Sequence, residues 1–485
     1  MKFSLVPVTL GAALALGGCS TLQTADATAT LNQANAAMGG AALTSIQFEA
    51  SGTGGVFGQA YQPGMAWPKL NISMLSRVLD YQGSALRQDV AQSRAEPAGG
   101  GAIPLMGQGE QRATGFLKGT NAWNLAGPAP IAAPLAVTGR VHDLWTSPHG
   151  AIKAALKSNS GARNVDENGR RYIAVSYGQA GNFKATAFIN ANNLVERIES
   201  VQPNPVMGDT ASTTWYSDYQ EVDGIKFPMR IRQSMGGYDV LDLRVTNVKP
   251  NVAVAIDVPA LVPAFVENVA STLVTDGVWH LAGGSHNSVA IEMADHMIVV
   301  ESPLYDGRTA AVLAEVRKLS SKPIRYVINS HHHFDHAGGL RTAAADGIEI
   351  VSSGAARPYL ERIFANQNMV APDALAKSGK RAVVSGVDGK RVFTDGKRVV
   401  EVHHIDNSVH AAGFNMVYLP AEKLLVQADA YTPGAPNSPT PARVNDNHRA
   451  LVDNMDRLKL NVERILPLHG RVVPVSELYT AVGRK

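Results

Sequence analysis

Residues 331–339 read His-His-His-Phe-Asp-His-Ala-Gly-Gly. Within six positions they set His331, His333, Asp335 and His336 in the pattern His-x-His-x-Asp-His. Packing alone does not explain such density, because His and Asp are costly to bury unpaired. Imidazole nitrogen and carboxylate oxygen are donors that zinc, iron and manganese accept. The run therefore demands a fold in which one tight loop turns its side chains onto a cation. Its flanks agree. Residues 322–330 (KPIRYVINS) are short, apolar and β-branched, the pattern of a buried strand. Gly338 and Gly339 permit tight turning and close approach, and a helix begins at Leu340. His331 and His333, two apart in extended chain, face the same side. Asp335 and His336 come after the turn, where they can face a second metal.

More candidate ligands follow at strand ends. His410 lies in Ser-Val-His-Ala-Ala-Gly, ahead of a predicted strand at 414–419. After a turn at Pro420-Ala421-Glu422, residues 423–428 form the return strand, which ends at Asp429. Residues 445–459 predict a helix, with Leu451, Met455 and Leu458 at helical spacing. A last apolar run at 462–466 leads through Pro467 to Leu468-His469-Gly470. Functional groups in layered α/β folds gather on loops at strand ends.

This ordered set resembles the metallo-β-lactamase superfamily over residues 270–485. The resemblance implies an αββα sandwich, two mixed sheets inside and helices outside. It implies that His331, His333 and His410 hold one metal, that Asp335, His336 and His469 hold a second, and that Asp429 bridges them. The implied cofactors are two zinc ions, with iron or manganese as alternatives. Two metals about 3.5–4 Å apart can hold a hydroxide, since metal binding lowers the pKa of water from about 15.7 to roughly 7. Asp335 is the implied catalytic residue, orienting that hydroxide and moving its proton. The expected reaction is hydrolysis of a small-molecule carboxylic ester, lactone, thioester or lactam.

Some positions depart from the family pattern or lie outside it. Family members often carry Asp where Glu301 ends the strand at 297–300. Glu301 is either a carboxylate supporting the ligands or a surface group. His332 is expected to face solvent or the substrate rim, and His403 and His404 are expected to be non-ligands. His333 stands where the similar flavodiiron oxygen reductases place Glu, which argues against that branch. A bridging Asp429 suits the thioesterase, lactonase and general hydrolase branches. The single Cys is Cys19, so a Cys-type lactamase site is excluded. A β-lactamase of the three-His kind stays open, as do a mononuclear iron oxygenase of thiols or persulfides and a binding protein without catalysis. Residues 354–380, with Tyr359, Phe364 and Met369, form either a pocket rim or a packing helix.

The N-terminal end carries an export pattern. Met1-Lys2 precedes an apolar stretch at 5–16, too short to span a membrane. Leu16-Gly17-Gly18-Cys19 resembles a bacterial lipobox. Residues 1–19 are thus expected to be a signal peptide, Cys19 a lipid anchor, and the bacterial periplasm, at the outer membrane, the destination. The alternative is cleavage after residues 25–27 and a soluble secreted protein. Residues 20–30 are small and polar, a predicted tether.

Residues 31–250 read as a mainly antiparallel β domain. A short helix is predicted at 32–38. Leu241, Leu243 and Val245 alternate with Asp242, Arg244 and Thr246, and residues 171–177 and 183–189 behave alike. Residues 92–112 predict a long loop, 251–268 a linker, and 269–485 the hydrolase domain. On pattern alone, the β region resembles the half-open barrels of lipoprotein carriers. It could pack on the hydrolase, bind an apolar ligand, cover the site or mediate dimerisation. Lys and Arg exceed Asp and Glu by only three, 44 against 41, too few for a nucleic-acid footprint.

Overall fold

The computed structural model describes residues 25–95, 109–158, 160–436 and 443–484. The expected signal peptide, the lipobox-like stretch with Cys19 and most of the predicted loop at 92–112 lie outside them.

Among the described residues, the N-terminal half builds one 13-stranded antiparallel sheet. Its first strand, Ser45–Gly55, lies between the second, Lys69–Asp80, and the last, Tyr238–Pro250. From there the chain runs outward in hairpins to Ala129–Ala132, crosses by two helices, and returns from Gly161–Glu167 at the other edge. The alternation in the sequence reports one covered face: Leu243 and Val245 are buried, while Arg244 and Thr246 are exposed. The cover is helical. Ala27–Ala37, Val137–Trp145 and Pro148–Leu156 set Leu31, Leu144 and Ile152 into one core with Phe48, Leu79 and Phe227. The first helix corrects the predicted tether at 20–30. It starts at Ala27, where Asp26 caps it by accepting from Ala29 N at 3.0 Å, five residues earlier than the spacing suggested. Residues 251–269 hold no helix or strand. They are not a free linker, however, since Ile256 and Val262 pack with Ala85 and Trp123 of the sheet.

The C-terminal half has the four-layer αββα arrangement. A seven-stranded sheet runs from Ala270–Thr275 to Val384–Val387, and a six-stranded one from Lys390–Thr394 to Val473–Pro474. Met297–Val300 shows why short apolar runs fill the middle. Ile298 and Val300 point into the core between the sheets, with Val400, Val402, Val426 and Ile465. Met297 and Val299 point to the other face, against Val312 and Val316 of helix Asp306–Leu319. Every residue of the strand is buried, so it shows no alternation.

Helix Leu340–Ala345 follows the ligand loop and is pinned by Arg341, which is 1% exposed. Its guanidinium donates through Nε and Nη2 to Asp373 and reaches the Phe364 carbonyl at 3.4 Å. Removing one partner of a buried pair leaves an uncompensated charge. Asp373→Ala is expected to lower stability by about 3–5 kcal/mol, measured as a lower urea midpoint at unchanged m value.

Candidate metal centre

Four strands deliver the site from their C-terminal ends. Glu301 follows Met297–Val300, His331 follows Ile324–Ile328, Asp429 follows Leu424–Gln427 and His469 follows Arg464–Pro467. The second and fourth of these strands run parallel to the one before them in their sheets, so the loops meet on the same side. The short helix Phe334–Ala337 turns Asp335 and His336 inward.

Seven residues singled out in the sequence come together here. His331, His333, His410 and Asp429 form one group whose ligand atoms all lie within 4.8 Å of one another. His331 Nε2 is 2.9 Å from His333 Nδ1 and 3.0 Å from His410 Nε2. Asp335, His336 and His469 form a second group with a residue the motif did not flag, His286. His469 Nε2 is 3.1 Å from His336 Nε2, and His286 Nε2 is 3.2 Å from Asp335 Oδ2. Asp429 lies between the groups. Its Oδ2 is 3.1 Å from His410 Nε2 and 2.9 Å from His336 Nε2, and its Oδ1 is 3.1 Å from His469 Nε2.

This geometry fits a metal. Donors about 2.0–2.1 Å from a tetrahedral zinc lie roughly 3.3–3.4 Å from one another, close to the separations seen. The other ring nitrogens are turned outward. His336 Nδ1 meets Glu301 Oε2 at 3.0 Å and His469 Nδ1 meets the Ser285 carbonyl at 2.9 Å, which fixes each tautomer and leaves Nε2 facing in. Burial holds His331 and His333 well below the ordinary imidazole pKa, so both are neutral with free lone pairs. Burial would raise the Asp429 carboxyl, but His336 and His410 outweigh it and hold it well below the usual range. Burial likewise opposes charge on His336, yet Asp335, Asp429 and Glu301 raise its pKa well above normal. A field that favours a proton there also favours a metal cation.

Residues 281–469 match the family model of the metallo-beta-lactamase superfamily. The C-terminal domain has the metallo-β-lactamase fold. Among characterised proteins, a linear primary-alkylsulfatase from Pseudomonas sp. (strain ATCC 19151) is 26% identical over 229 residues. That match covers 40% of this chain and 43% of the alkylsulfatase, less than half its length. Among solved structures, the metallo-beta-lactamase from Pontibacter korlensis is 16% identical at a TM-score of 0.35, covering 44% of this chain and 98% of its own. The metallo-beta-lactamase FIM-1 from Pseudomonas aeruginosa, in its mono-zinc form, is 20% identical at 0.34, covering 44% and 94%.

Within the metallo-β-lactamase-fold domain, Glu301 is a carboxylate supporting the ligands and not a surface group. Glu301 is fully buried, at a left-handed φ of 78°. It accepts from Asn329 Nδ2 at 3.0 Å, Ser330 Oγ at 2.5 Å and His336 Nδ1. His332 departs from its expected place at solvent or rim. It is 2% exposed, and its Nε2 lies 2.8 Å from the Ala60 carbonyl of the N-terminal half. His403 pairs with Glu401 at 2.8 Å, and neither His403 nor His404 joins a ligand group. Helix Arg357–Phe364 packs through Tyr359, Leu360, Ile363 and Phe364, while Met369 is exposed. A signal for His286 did exist in the sequence. It follows the apolar strand Val278–Ala282 in Gly-Gly-Ser-His, a strand-end histidine like the others.

Partners of metal-bound His typically contribute 10–100-fold to metal affinity. Glu301→Gln is therefore expected to weaken metal binding by about 10–100-fold, measured by competition with a chromogenic chelator.

Proposed function

We propose that this protein is a metal-dependent hydrolase with two metal ions, zinc first by its His-rich donor set. The observation that carries this is Asp429, one carboxylate within 3.3 Å of ring nitrogens from both ligand groups. His331, His333 and His410 would hold one ion. Asp335, His336 and His469 would hold the other, and Asp429 both. Metal ions so placed supply Lewis acidity toward a carbonyl or ester oxygen and acidify a water. Two complete donor groups favour this reading over a mononuclear iron oxygenase or a binding protein without catalysis.

The chain's own residues do the rest. Asp335 is the less buried carboxylate, its side chain 31% exposed, so it faces the space substrate must enter. Its Oδ1 accepts from Gln59 Nε2 at 2.8 Å, and its Oδ2 lies 3.2 Å from His286 Nε2. Held from both sides, it can orient the attacking water and pass its proton to the leaving group. Carboxylic esters, lactones, thioesters and lactams all suit such a centre. Similarity to a linear primary-alkylsulfatase adds sulfate esters as a second reading. Export to the periplasm with a lipid on Cys19, or as a soluble secreted protein, belongs to the same proposal and rests on the sequence pattern alone.

The test assays the metal-loaded full chain on p-nitrophenyl acetate, a chromogenic cephalosporin and octyl sulfate, with and without chelator. Turnover of an ester or lactam that chelator abolishes is the expected result, and Asp335→Ala should lower kcat by about 10²–10⁴-fold. Turnover of octyl sulfate alone would select the second reading. Activity indifferent to chelator, or intact in the Asp335 variant, would sink the proposal.

A further inference from the structure

The segment between Ser45–Gly55 and Lys69–Asp80 reaches from the N-terminal sheet onto the ligand loop. The Gly58 carbonyl accepts from Phe334 N at 3.2 Å, and the Tyr61 carbonyl accepts from Ala412 N at 2.8 Å. The Ala60 carbonyl meets both His332 and His333, at 2.8 and 3.0 Å. Phe334 packs edge-on against Phe57 and Trp67, with ring centroids 5.3 and 5.6 Å apart. Gly58 is required for this docking: its φ is +85°, and a Cβ there would lie 2.4 Å from Phe334 Cγ. The sheet is thus built onto the metal centre.

Behind this contact lies a cavity of about 670 Å³, within the roughly 300–1,000 Å³ typical of small-molecule sites. Asp335, Phe334 and Leu304 form its end at the metal centre. Gln88, Gln233 and Gly139, from two strands and the helix Val137–Trp145, line the part within the N-terminal half. Phe57 and Val206 add apolar wall, while Gln202 adds a carboxamide. Among the described lining residues there is no Lys, Arg or His, and the two charged ones, Asp143 and Asp335, are both acidic. Such a lining disfavours an anionic tail. It suits a neutral chain whose apolar length lies along Phe57, Val206, Met235, Val240 and Leu304.

We propose that this cavity is the chain-binding subsite of the hydrolase. It would take the neutral medium-length aliphatic chain of an ester whose scissile group lies at Asp335. The N-terminal sheet then decides substrate length, and Gln59 is a positioning residue at the junction. This rests on reading the metal centre as an ester hydrolase, so its test includes binding without turnover. Gly139 is an exposed lining residue at which a larger side chain would obstruct the cavity. It faces open space, with nothing within 4 Å of an added Cβ, and a larger residue favours the helix.

The experiment titrates 2-decanone, a neutral non-hydrolysable chain, into the metal-loaded full chain by calorimetry. It then compares KM for p-nitrophenyl octanoate and acetate. Wild type should bind the ketone, and its KM should be lower for octanoate than for acetate. Gly139→Trp should weaken ketone binding and raise the octanoate KM roughly tenfold, the effect of losing burial of about two methylenes. Its acetate KM should not change, and Gly139→Ala should match wild type throughout. Ketone binding that Gly139→Trp abolishes, with neither ester cleaved, would uphold the subsite and refute the ester reading of the metal centre. No ketone binding, or equal binding by wild type and Gly139→Trp, would overturn the subsite whatever the esters do.

Discussion

Asp429 stands within 3.3 Å of ring nitrogens from His331, His336, His410 and His469, in a place almost without solvent. Buried lone pairs aimed at one another are unfavourable unless something positive lies between them. Protons serve only in part, because burial keeps His331 and His333 neutral. Metal cations held between these donors would resolve the conflict, and much of the surrounding structure would support them. Glu301, held at a positive φ, accepts from Asn329 and Ser330 and fixes the ring of His336. Asn329 also donates to the His336 carbonyl at 3.2 Å and accepts from Ser352 Oγ at 3.0 Å. Backbone strain at such a point persists because its surroundings over-determine it.

The sandwich gives this cluster rigid footing. Two of the strands that lead to the site, Met297–Val300 before Glu301 and Leu424–Gln427 before Asp429, are buried throughout. A packed core resists small displacements, and donor atoms must be held to within a few tenths of an ångström to share a metal. The loop that carries four candidate ligands is short, and the helix after it is tied down by Arg341. The N-terminal sheet adds the remaining wall. Its segment at Gly58–Tyr61 covers His332 and His333, and Gln59 contacts the one carboxylate of the centre that faces open space. The stretch at 251–269 packs Ile256 and Val262 onto the sheet rather than hanging free.

The residues alone determined the His-rich loop, its candidate partners at His410, Asp429 and His469, and the apolar runs at 322–330, 414–419, 423–428 and 462–466 beside them. Those features are local: a dense His-x-His-x-Asp-His run, apolar runs ending in a ligand, and period-2 alternation as in Tyr238–Pro250. Only the tertiary structure placed Ser45–Gly55 beside Tyr238–Pro250, buried Glu301 and His332, and added His286 to the second group. It alone brought Gln59 to Asp335, 276 positions away. A contact across that distance leaves no period or spacing in the chain. Whether a carboxylate or imidazole is a surface group or a buried partner is decided by what packs over it, and that is a property of the whole fold.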